Sequence, residues 1–276
     1  MTVSVLAPGL LGGSILKTLR KKNPALTLKA WARREETRLA LSDAKLADEV
    51  CATPAAAVAD SDLVILCPPV PAMAELAQQM LPALKRDALV TDVGSVKAPV
   101  HAALSPLLLN KARWTGSHPM AGSEQSGLEA ARDDLFENAV TIITPAPDAE
   151  AHTVAGLRAF WESLGSRTLT LTPEEHDAHV AQISHLPHLL ATLLVNTVSA
   201  ESLRVAGPGF RDTTRVAAGP PELWVDILKA NHQAILSALV KLQSEIQSAR
   251  EILEGGDGIK LLELLAAANQ KRRGLF

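Results

Sequence analysis

The 276-residue sequence contains no tyrosine, and aromatic residues make up only 3% of it. A tyrosine hydroxyl is therefore excluded as a catalytic acid or nucleophile. Cysteine is also scarce, because Cys51 and Cys67 are the only two, and each lies in or beside an apolar, strand-like run. Two thiols in such runs favour a reduced, buried state over a disulfide framework.

Long apolar runs and a strong charge of either sign are absent too. No run approaches the ~18 uninterrupted apolar residues of a membrane span, and a net charge of −3 offers no attraction to nucleic acid or anionic membranes. The chain enters an apolar stretch at Val3 without a basic leader. With 47% hydrophobic residues, we expect a globular, cytoplasmic protein that acts on a small molecule.

The sequence does contain a regular alternation of short apolar runs and amphipathic helical patterns. Strands are predicted at residues 3–6, 26–31, 49–51, 63–67, 89–92, 114–117 and 139–144. Helices are predicted between several of them, at residues 12–22, 71–84 and 96–109. This rhythm indicates an α/β fold whose N-terminal part is a Rossmann-type, doubly wound and mostly parallel sheet.

Long helical patterns replace this rhythm from about Thr172 onward, at residues 173–201, 221–253 and 259–271. We therefore predict a dinucleotide-binding domain over residues 1–170 and an all-α domain over residues 171–276. The long helices are apolar on more than one face, through Leu189, Leu190, Leu193, Leu194, Leu236, Leu239, Val240 and Leu242. This surface favours a homodimer formed through the helical domain, the alternative being packing against the first domain.

The first predicted strand runs into Ala7-Pro8-Gly9-Leu10-Leu11-Gly12 and then into a helix. A G-x-G-x-x-G turn at such a junction binds the pyrophosphate of a dinucleotide. Gly9 and Gly12 match its second and third glycines, so Leu10 and Leu11 are predicted to lie at the same site. Ala7 stands in place of the first glycine and fits there if its φ is negative. The alternative is a tight turn that binds nothing.

The end of the second predicted strand bears on which dinucleotide is bound. NAD-binding proteins usually place Asp or Glu there, but this chain has Ala32 followed by Arg33 and Arg34. Two arginines without an acid suit a 2′-phosphate, which favours NADP, with NAD as the alternative if both arginines are solvated at a helix start. The rigid turn Cys67-Pro68-Pro69 after the fourth predicted strand completes the predicted cofactor cleft.

A segment with the composition of an active-site loop, residues 116–124, overlaps the end of the sixth predicted strand. It combines His118 with Pro119, Ser123, Glu124 and two glycines. Glycine and proline are typical of loops, and α/β enzymes place their chemistry in loops at strand ends. Histidine is the side chain most often used to move a proton near neutral pH.

Five segments taken together resemble the prephenate/arogenate dehydrogenase family of tyrosine biosynthesis. They are Gly9-Leu10-Leu11-Gly12-Gly13-Ser14, Asp92-Val93-Gly94-Ser95-Val96-Lys97, His118-Pro119-Met120-Ala121-Gly122-Ser123-Glu124, Ser184-His185-Leu186-Pro187-His188 and Gly209-Phe210-Arg211-Asp212-Thr213-Thr214-Arg215. Trp224 follows at the family's usual interval, whereas Ala7 and Ser123 depart from the usual glycine and threonine. The resemblance implies oxidative decarboxylation of prephenate, arogenate or both, with hydride transfer to NAD(P).

The resemblance also implies the roles of the central residues. His118 would be the general base for the ring hydroxyl of the substrate. Ser95 would hydrogen-bond the same hydroxyl, cap the following helix, or do both. Arg215 would bind the side-chain carboxylate through its planar guanidinium.

The remaining family positions are expected around the same substrate. Ser123 and Glu124 would line the side of the ring carboxylate. Trp224 would form a wall of the pocket, or else belong to the core or a dimer interface. Of His185 and His188, one would reach the substrate and the other would make a buried contact.

Four histidines between residues 176 and 188 also suggest a metal site. No cysteine or H-E-x-x-H pattern accompanies them, and hydride transfer needs no metal, so no bound metal is expected.

Two functions other than prephenate or arogenate dehydrogenation stay open. One is a β-hydroxyacid-type NAD(P) dehydrogenase, which would rely on a lysine base such as Lys229 or Lys241. The other is a non-catalytic protein that senses the cofactor.

Overall fold

The structure is a computed structural model that describes residues 1–123 and 125–275. The chain forms two compact units, one over Met1–Asn231 and a helical one from His232 onward. The domain boundary predicted near residue 170 lies within the first unit. No helix in the described part of the chain is long and apolar enough to cross a lipid bilayer.

Eight strands of the described residues form one sheet in the order β3-β2-β1-β4-β5-β6-β7-β8. They are β1 (Thr2–Leu6), β2 (Thr27–Trp31), β3 (Glu49–Val50), β4 (Leu63–Leu66), β5 (Leu89–Asp92), β6 (Arg113–Met120), β7 (Val140–Pro145) and β8 (Arg167–Thr170). Only the pair β6–β7 is antiparallel in this sheet. The strand order reverses between β1 and β4, as in doubly wound sheets, and this confirms the predicted fold class.

Helices cover both faces of the sheet. The first unit contains α1 (Leu10–Lys22), α2 (Glu35–Asp43), α3 (Pro54–Val58), α4 (Met73–Met80), α5 (Ala98–Leu108), α6 (Ala151–Ser163), α7 (Pro173–Val180), α8 (Leu186–Thr197), α9 (Ala200–Leu203), α10 (Pro208–Thr214) and α11 (Pro221–Ala230). The second unit contains α12 (His232–Glu254) and α13 (Gly258–Arg273). One core cluster joins the sheet to α1 and α6, and another joins it to α3, α4 and α5.

Strand β6 is longer than predicted and places His118 in a strand, so the prediction of a loop at this histidine was wrong. The antiparallel pairing with β7 continues from Thr115 to Met120. Pro119 is compatible with this strand because β6 pairs with β5 only at Arg113 and Trp114, which leaves the other edge of β6 without a ladder at Pro119. Strand β8 was not predicted.

The long helices predicted in the second half of the chain are interrupted. A π-helical turn over Ala181–His185 separates α7 from α8. Pro187 follows it, and the wider turn suits a residue that lacks an amide hydrogen and would clash with a regular preceding turn. The next predicted helix is broken at Asn231, between α11 and α12.

Candidate active site

A cavity of about 930 Å³ opens in the first unit at the carboxyl ends of β1, β2, β4 and β5. This edge of a doubly wound sheet, beside the reversal of strand order, is where such folds bind their ligands. Seventeen of the predicted site residues line it: Ala7, Gly9, Leu10, Leu11, Gly12, Ala32, Arg33, Arg34, Cys67, Pro68, Pro69, Ser95, His118, Ser123, His185, Arg215 and Trp224. Glu124 lies outside the described residues.

The turn between β1 and α1 has the form that a dinucleotide phosphate requires. A Cβ atom on Gly9 would meet no described atom within 4 Å, whereas on Gly12 it would lie 3.0 Å from atoms of Val5, Pro8 and Cys67. Gly9 therefore leaves the backbone open to a ligand, and Gly12 allows close packing of helix on strand. No acidic residue occupies the first turn of α1, whose amides and dipole favour an anion.

Ala7 has a φ of 58°, so the condition of a negative φ at this position is not met. This left-handed conformation favours glycine and costs an alanine roughly 1–2 kcal/mol. The position keeps the conformation of the first glycine of the motif although it carries a methyl group. The residues of this turn therefore fit an NAD(P) pyrophosphate, with some backbone strain at Ala7.

The β2–α2 turn presents arginine side chains to the same cavity. Ala32 is buried, while Arg33 and Arg34 are exposed and lie along the cavity wall. Arg34 is also the residue at the N-terminal cap of α2. Arg38 holds the turn from within, since its Nη1 donates to the carbonyl oxygens of Ala32 at 2.8 Å and Arg33 at 3.0 Å.

His118 begins a buried chain of hydrogen bonds. Its Nδ1 lies 2.8 Å from Nε2 of His176, and Nδ1 of His176 lies 2.7 Å from Oδ1 of Asp177. The Asp177 carboxylate also accepts from the backbone amides of Lys97 at 2.7 Å and Ala98 at 2.9 Å. The positive end of the α5 dipole therefore stabilises the carboxylate that ends the chain.

The Asp177 carboxylate sets the protonation states along the series of hydrogen bonds from His118 through His176. Asp177 can only accept, so His176 donates from Nδ1 and accepts at Nε2. His118 then donates from Nδ1, which leaves its Nε2 unprotonated. Burial, followed by His176, Lys97 and His185, keeps the pKa of His118 well below its usual range. His118 is thus a neutral base at neutral pH in the wall of the cavity.

His185 also lines the cavity, but its tautomer is the opposite one. The Asn231 side-chain amide nitrogen donates to the Asp177 carbonyl oxygen at 2.9 Å and to Nδ1 of His185 at 3.0 Å. The His185 proton therefore resides on Nε2. Burial lowers the pKa of His185 to about 4, so the ring is a neutral donor.

His188 lies behind Trp224, outside the described cavity wall. The two rings are stacked with centroids 3.5 Å apart and planes at 10°. Gly219 packs on the same indole, because a Cβ atom there would lie 2.7 Å from Nε1 of Trp224. His188 and Gly219 therefore support Trp224, which faces the cavity.

Ser95 lines the cavity and does not cap a helix. Helix α5 begins at Ala98 rather than Val96, and Asp177 accepts from its first amides. The predicted capping role of Ser95 was therefore wrong.

Two further predicted site residues line the cavity. Arg215 begins a 3₁₀ turn after α10 and is exposed on the cavity wall. The hydroxyl of Ser123 accepts from the amide of Gln125 at 3.1 Å.

Four buried polar residues around His118 received no role from the sequence: Asp92, Lys97, His176 and Asp177. A usable signal existed for the last two. The capping box Thr172–Glu175 fixes the start of α7, and the helical period then turns His176, Asp177 and Val180 to one buried face. Polar residues at such core positions require partners, which points to a functional or structural network.

A doubly wound sheet, a glycine-bearing turn at its switch point and a neutral histidine facing the same cavity define an NAD(P)-linked dehydrogenase. No group of three or more His, Cys, Asp or Glu side chains among the described residues could hold a metal ion.

Comparison with known proteins resolves the class further. The family model of the prephenate dehydrogenase nucleotide-binding domain matches residues 15–170, and that of the prephenate dehydrogenase dimerization domain matches residues 172–267. The chain therefore belongs to the prephenate dehydrogenase family, and the resemblance found in the sequence is confirmed.

Individual relatives agree with this assignment. The chain is 34% identical to a cyclohexadienyl dehydrogenase of Zymomonas mobilis, covering 99% of this chain and 95% of that protein. It is 32% identical to a prephenate dehydrogenase of Bacillus subtilis, covering 99% and 76%. The structure of Aquifex aeolicus prephenate dehydrogenase in complex with hydroxyphenyl propionate and NAD+ is similar with a TM-score of 0.92 at 29% identity, covering 100% and 98%.

Proposed function

We propose that this protein oxidises and decarboxylates prephenate, arogenate or both, and that it uses NADP at least as well as NAD. The observation that carries the proposal is the neutral His118, which lines the same cavity as a turn with the form of a dinucleotide-binding turn. Relatives named cyclohexadienyl, prephenate and arogenate dehydrogenase support the substrate class. The alternative of a lysine base has no support in this cavity, since no lysine is among its described lining residues.

The chain's own residues account for the proton transfer. When bound, the nicotinamide supplies a hydride acceptor, and residues 7–12 and 32–34 would hold the dinucleotide. Nε2 of His118 accepts the proton of the ring hydroxyl, and the positive charge that develops is shared through His176 toward Asp177. Loss of carbon dioxide leaves a phenolate, to which His118 can return the same proton. General-base assistance of this kind is typically worth ~10²–10⁴-fold in rate.

The remaining polar groups of the cavity suit a substrate with two carboxylates. Arg215 offers a guanidinium for the side-chain carboxylate. The His185 ring and the hydroxyls of Ser95 and Ser123, which line the same cavity, are proposed to orient the substrate ring and its carboxylate. Glu124 keeps its proposed place beside the ring carboxylate. Trp224 provides an apolar wall, with His188 supporting it from behind.

The NADP preference rests on the β2–α2 turn. A carboxylate after β2 would repel a 2′-phosphate, and this chain has buried Ala32 there. Arg33 and Arg34 are exposed on the cavity wall, where guanidinium groups can pair with that phosphate or stack on the adenine. Arg38 keeps the turn rigid.

We also propose that the protein is a homodimer in the cytoplasm. Large apolar side chains are exposed on its later helices: Leu193, Leu194, Leu236, Val240, Ile246, Leu253, Ile259, Leu262 and Leu265. Such surface requires a partner, and a model of a dimerization domain matches this region. The free thiols Cys51 and Cys67 suit a reducing compartment.

The domain boundary near residue 170 remains our proposal, supported by family models that end at residue 170 and begin at residue 172.

The experiment is a steady-state assay that crosses prephenate and arogenate with NADP and NAD. We expect turnover of at least one substrate, and a kcat/KM with NADP equal to or above that with NAD. The double change Ala32→Asp with Arg33→Ile should move the preference toward NAD. Arg86→Ile is the matched control, because Arg86 is an exposed arginine outside the described cavity wall.

No turnover of either substrate would contradict the proposed reaction. A wild-type preference for NAD that the double variant leaves unchanged would contradict the cofactor proposal alone, because it would place both arginines in solvent.

A further inference from the structure

Strand β6 loses its backbone ladder to β5 just before it reaches the catalytic base. The two strands pair at Leu89 with Arg113 and at Val90 with Trp114, and there the ladder ends. Strand β6 nevertheless continues to Met120, held on its other side by β7. The β5-facing edge of β6 beside His118 therefore needs another source of hydrogen bonds, because buried backbone groups are almost always paired.

Two fully buried charged side chains supply those bonds. Asp92 ends β5, Lys97 precedes α5, and the two form an ion pair with no solvent exposure. Oδ1 of Asp92 accepts from the backbone amide of Ser117 at 3.1 Å, and Nζ of Lys97 donates to the Ser117 carbonyl oxygen at 2.8 Å. The Ser117 hydroxyl donates to the Asp92 carbonyl oxygen at 2.6 Å. Both backbone polar groups of the residue before His118 are thus held by one ion pair.

The surrounding glycines show that this arrangement leaves no spare room. A Cβ atom on Gly94 would lie 2.8 Å from Oδ2 of Asp92 and 3.5 Å from Nζ of Lys97. One on Gly116 would lie 2.7 Å from Nε2 of His101 and 3.4 Å from Oδ1 of Asp92.

A buried ion pair is rarely the most stable way to fill a protein core, since apolar residues of similar volume often give equal or higher stability. Stability alone therefore does not account for this pair.

We propose that Asp92 and Lys97 form a positioning unit that holds the Ser117 peptide and so directs the His118 imidazole into the cavity. The inference rests on the proposed role of His118 as the base. Neither side chain is among the described lining of the cavity, so the pair acts through the strand and not on the substrate. The carboxylate and the ammonium replace the part of the β5–β6 ladder that is missing.

The same unit also acts on His118 through its charge. The groups that act on His118 are His176 on α7, His185 on the π turn and Lys97. Asp177 contacts His176, and Arg215 lines the same cavity as His118. Lys97 itself faces Asp92, Asp177 and, one turn along α5, His101. After burial and the neighbouring His176, the ammonium of Lys97 contributes to the lowered pKa of His118.

The test compares Lys97→Met and the double variant Asp92→Asn with Lys97→Met against the wild type. The double variant leaves no unpaired buried charge, so it provides a folded comparison if the single variant does not fold. We expect kcat to fall by about tenfold or more in the double variant, the scale of a misdirected catalytic group, with the KM for the dinucleotide unchanged. Lys85→Met is the matched control, because it removes a lysine from a partly exposed pair with Asp62.

The pH profile separates positioning from mere folding. Without the ammonium beside it, His118 should titrate at higher pH, so the acid limb of kcat/KM in Lys97→Met should move to higher pH. NMR titration of isotope-labelled histidine, with His118 assigned through His118→Asn, measures the same shift without substrate. The titration therefore tests the unit even if neither proposed substrate is turned over. A folded double variant with wild-type kcat, or a His118 titration unmoved in Lys97→Met, would overturn the inference.

Discussion

The histidines around the cavity differ in chemistry because each ring is held by a different partner. His176 donates a hydrogen bond to the Asp177 carboxylate and accepts one from Nδ1 of His118, which leaves Nε2 of His118 as an acceptor. Asn231 reverses the tautomer of His185 and makes Nε2 a donor. His188 serves as a flat surface for Trp224. Partner identity, more than residue type, sets the role of each imidazole.

The hydrogen-bond relay from His118 through His176 to Asp177 predicts that Asp177, which does not line the cavity, has a large effect on turnover. Asp177→Asn keeps the size of the side chain but can no longer enforce the donor at Nδ1 of His176. We expect kcat to fall by ~10²-fold or more, as when a catalytic histidine loses its orienting carboxylate. The KM for the dinucleotide should stay near that of the wild type. Steady-state kinetics at neutral pH provide the measurement.

The control for this prediction is Asp133→Asn, which removes an exposed carboxylate paired with Lys21. Thermal unfolding of both variants is needed as well, because Asp177 also binds the first amides of α5. An Asp177→Asn protein that is folded and turns over at the wild-type rate would show that the relay has no catalytic role.

At the scale of elements, local signals were predictable and long-range contacts were not. Residues 89–92 were predicted as a strand with the observed bounds of β5, and the β1–α1 turn was recognised from Gly9 and Gly12. The extension of β6 through His118 depends on β7, more than twenty residues later in the chain. The start of α5 depends on Asp177, 80 residues from Lys97. Periodicity within a short window carries no information about such partners.

The same limit applies to the site. Seventeen predicted residues line one cavity because strand ends and glycine turns mark the edge of a doubly wound sheet. The contact of His118 with His176 spans 58 residues and could not be inferred from spacing. The left-handed φ of Ala7 was missed for another reason: alanine is a poor indicator of that conformation.

The β1–α1 turn yields a prediction about stability. Ala7→Gly should raise the free energy of unfolding by about 0.5–1 kcal/mol, because relief of left-handed strain exceeds the entropy that glycine loses on folding. Urea unfolding of the protein without ligand measures the change. Ala44→Gly is the control, since exposed Ala44 has a φ of −77° and should lose stability when changed. Equal losses in both variants would mean that Ala7 is not strained.

At the scale of the whole molecule, burial of neutral imidazoles makes folding depend on pH. Five of the eight histidines have a lowered pKa, with burial as the largest cause: His101, His118, His176, His185 and His188. In the unfolded chain each would bind a proton near pH ~6.5, whereas in the folded protein each does so only at lower pH. Acid therefore favours the unfolded state.

The resulting prediction is a loss of stability in mild acid. Since the folded pKa values are depressed, the contribution is complete above pH ~6.5 and is lost as pH falls toward the folded values. His185, whose pKa is lowered to about 4, should alone account for ~2.5 kcal/mol between about pH 7.5 and 4.5. The carboxylates of Asp48, Asp62 and Asp133 remain ionised in this window because their pKa values are lowered. Urea titrations at fixed protein concentration give the free energy of unfolding at each pH.

His185→Gln should flatten the pH dependence of the free energy of unfolding, whereas His152→Gln, at a side chain that is 61% exposed, should leave that pH dependence unchanged. Equal slopes in the two variants would show that buried imidazoles do not govern acid unfolding of this protein.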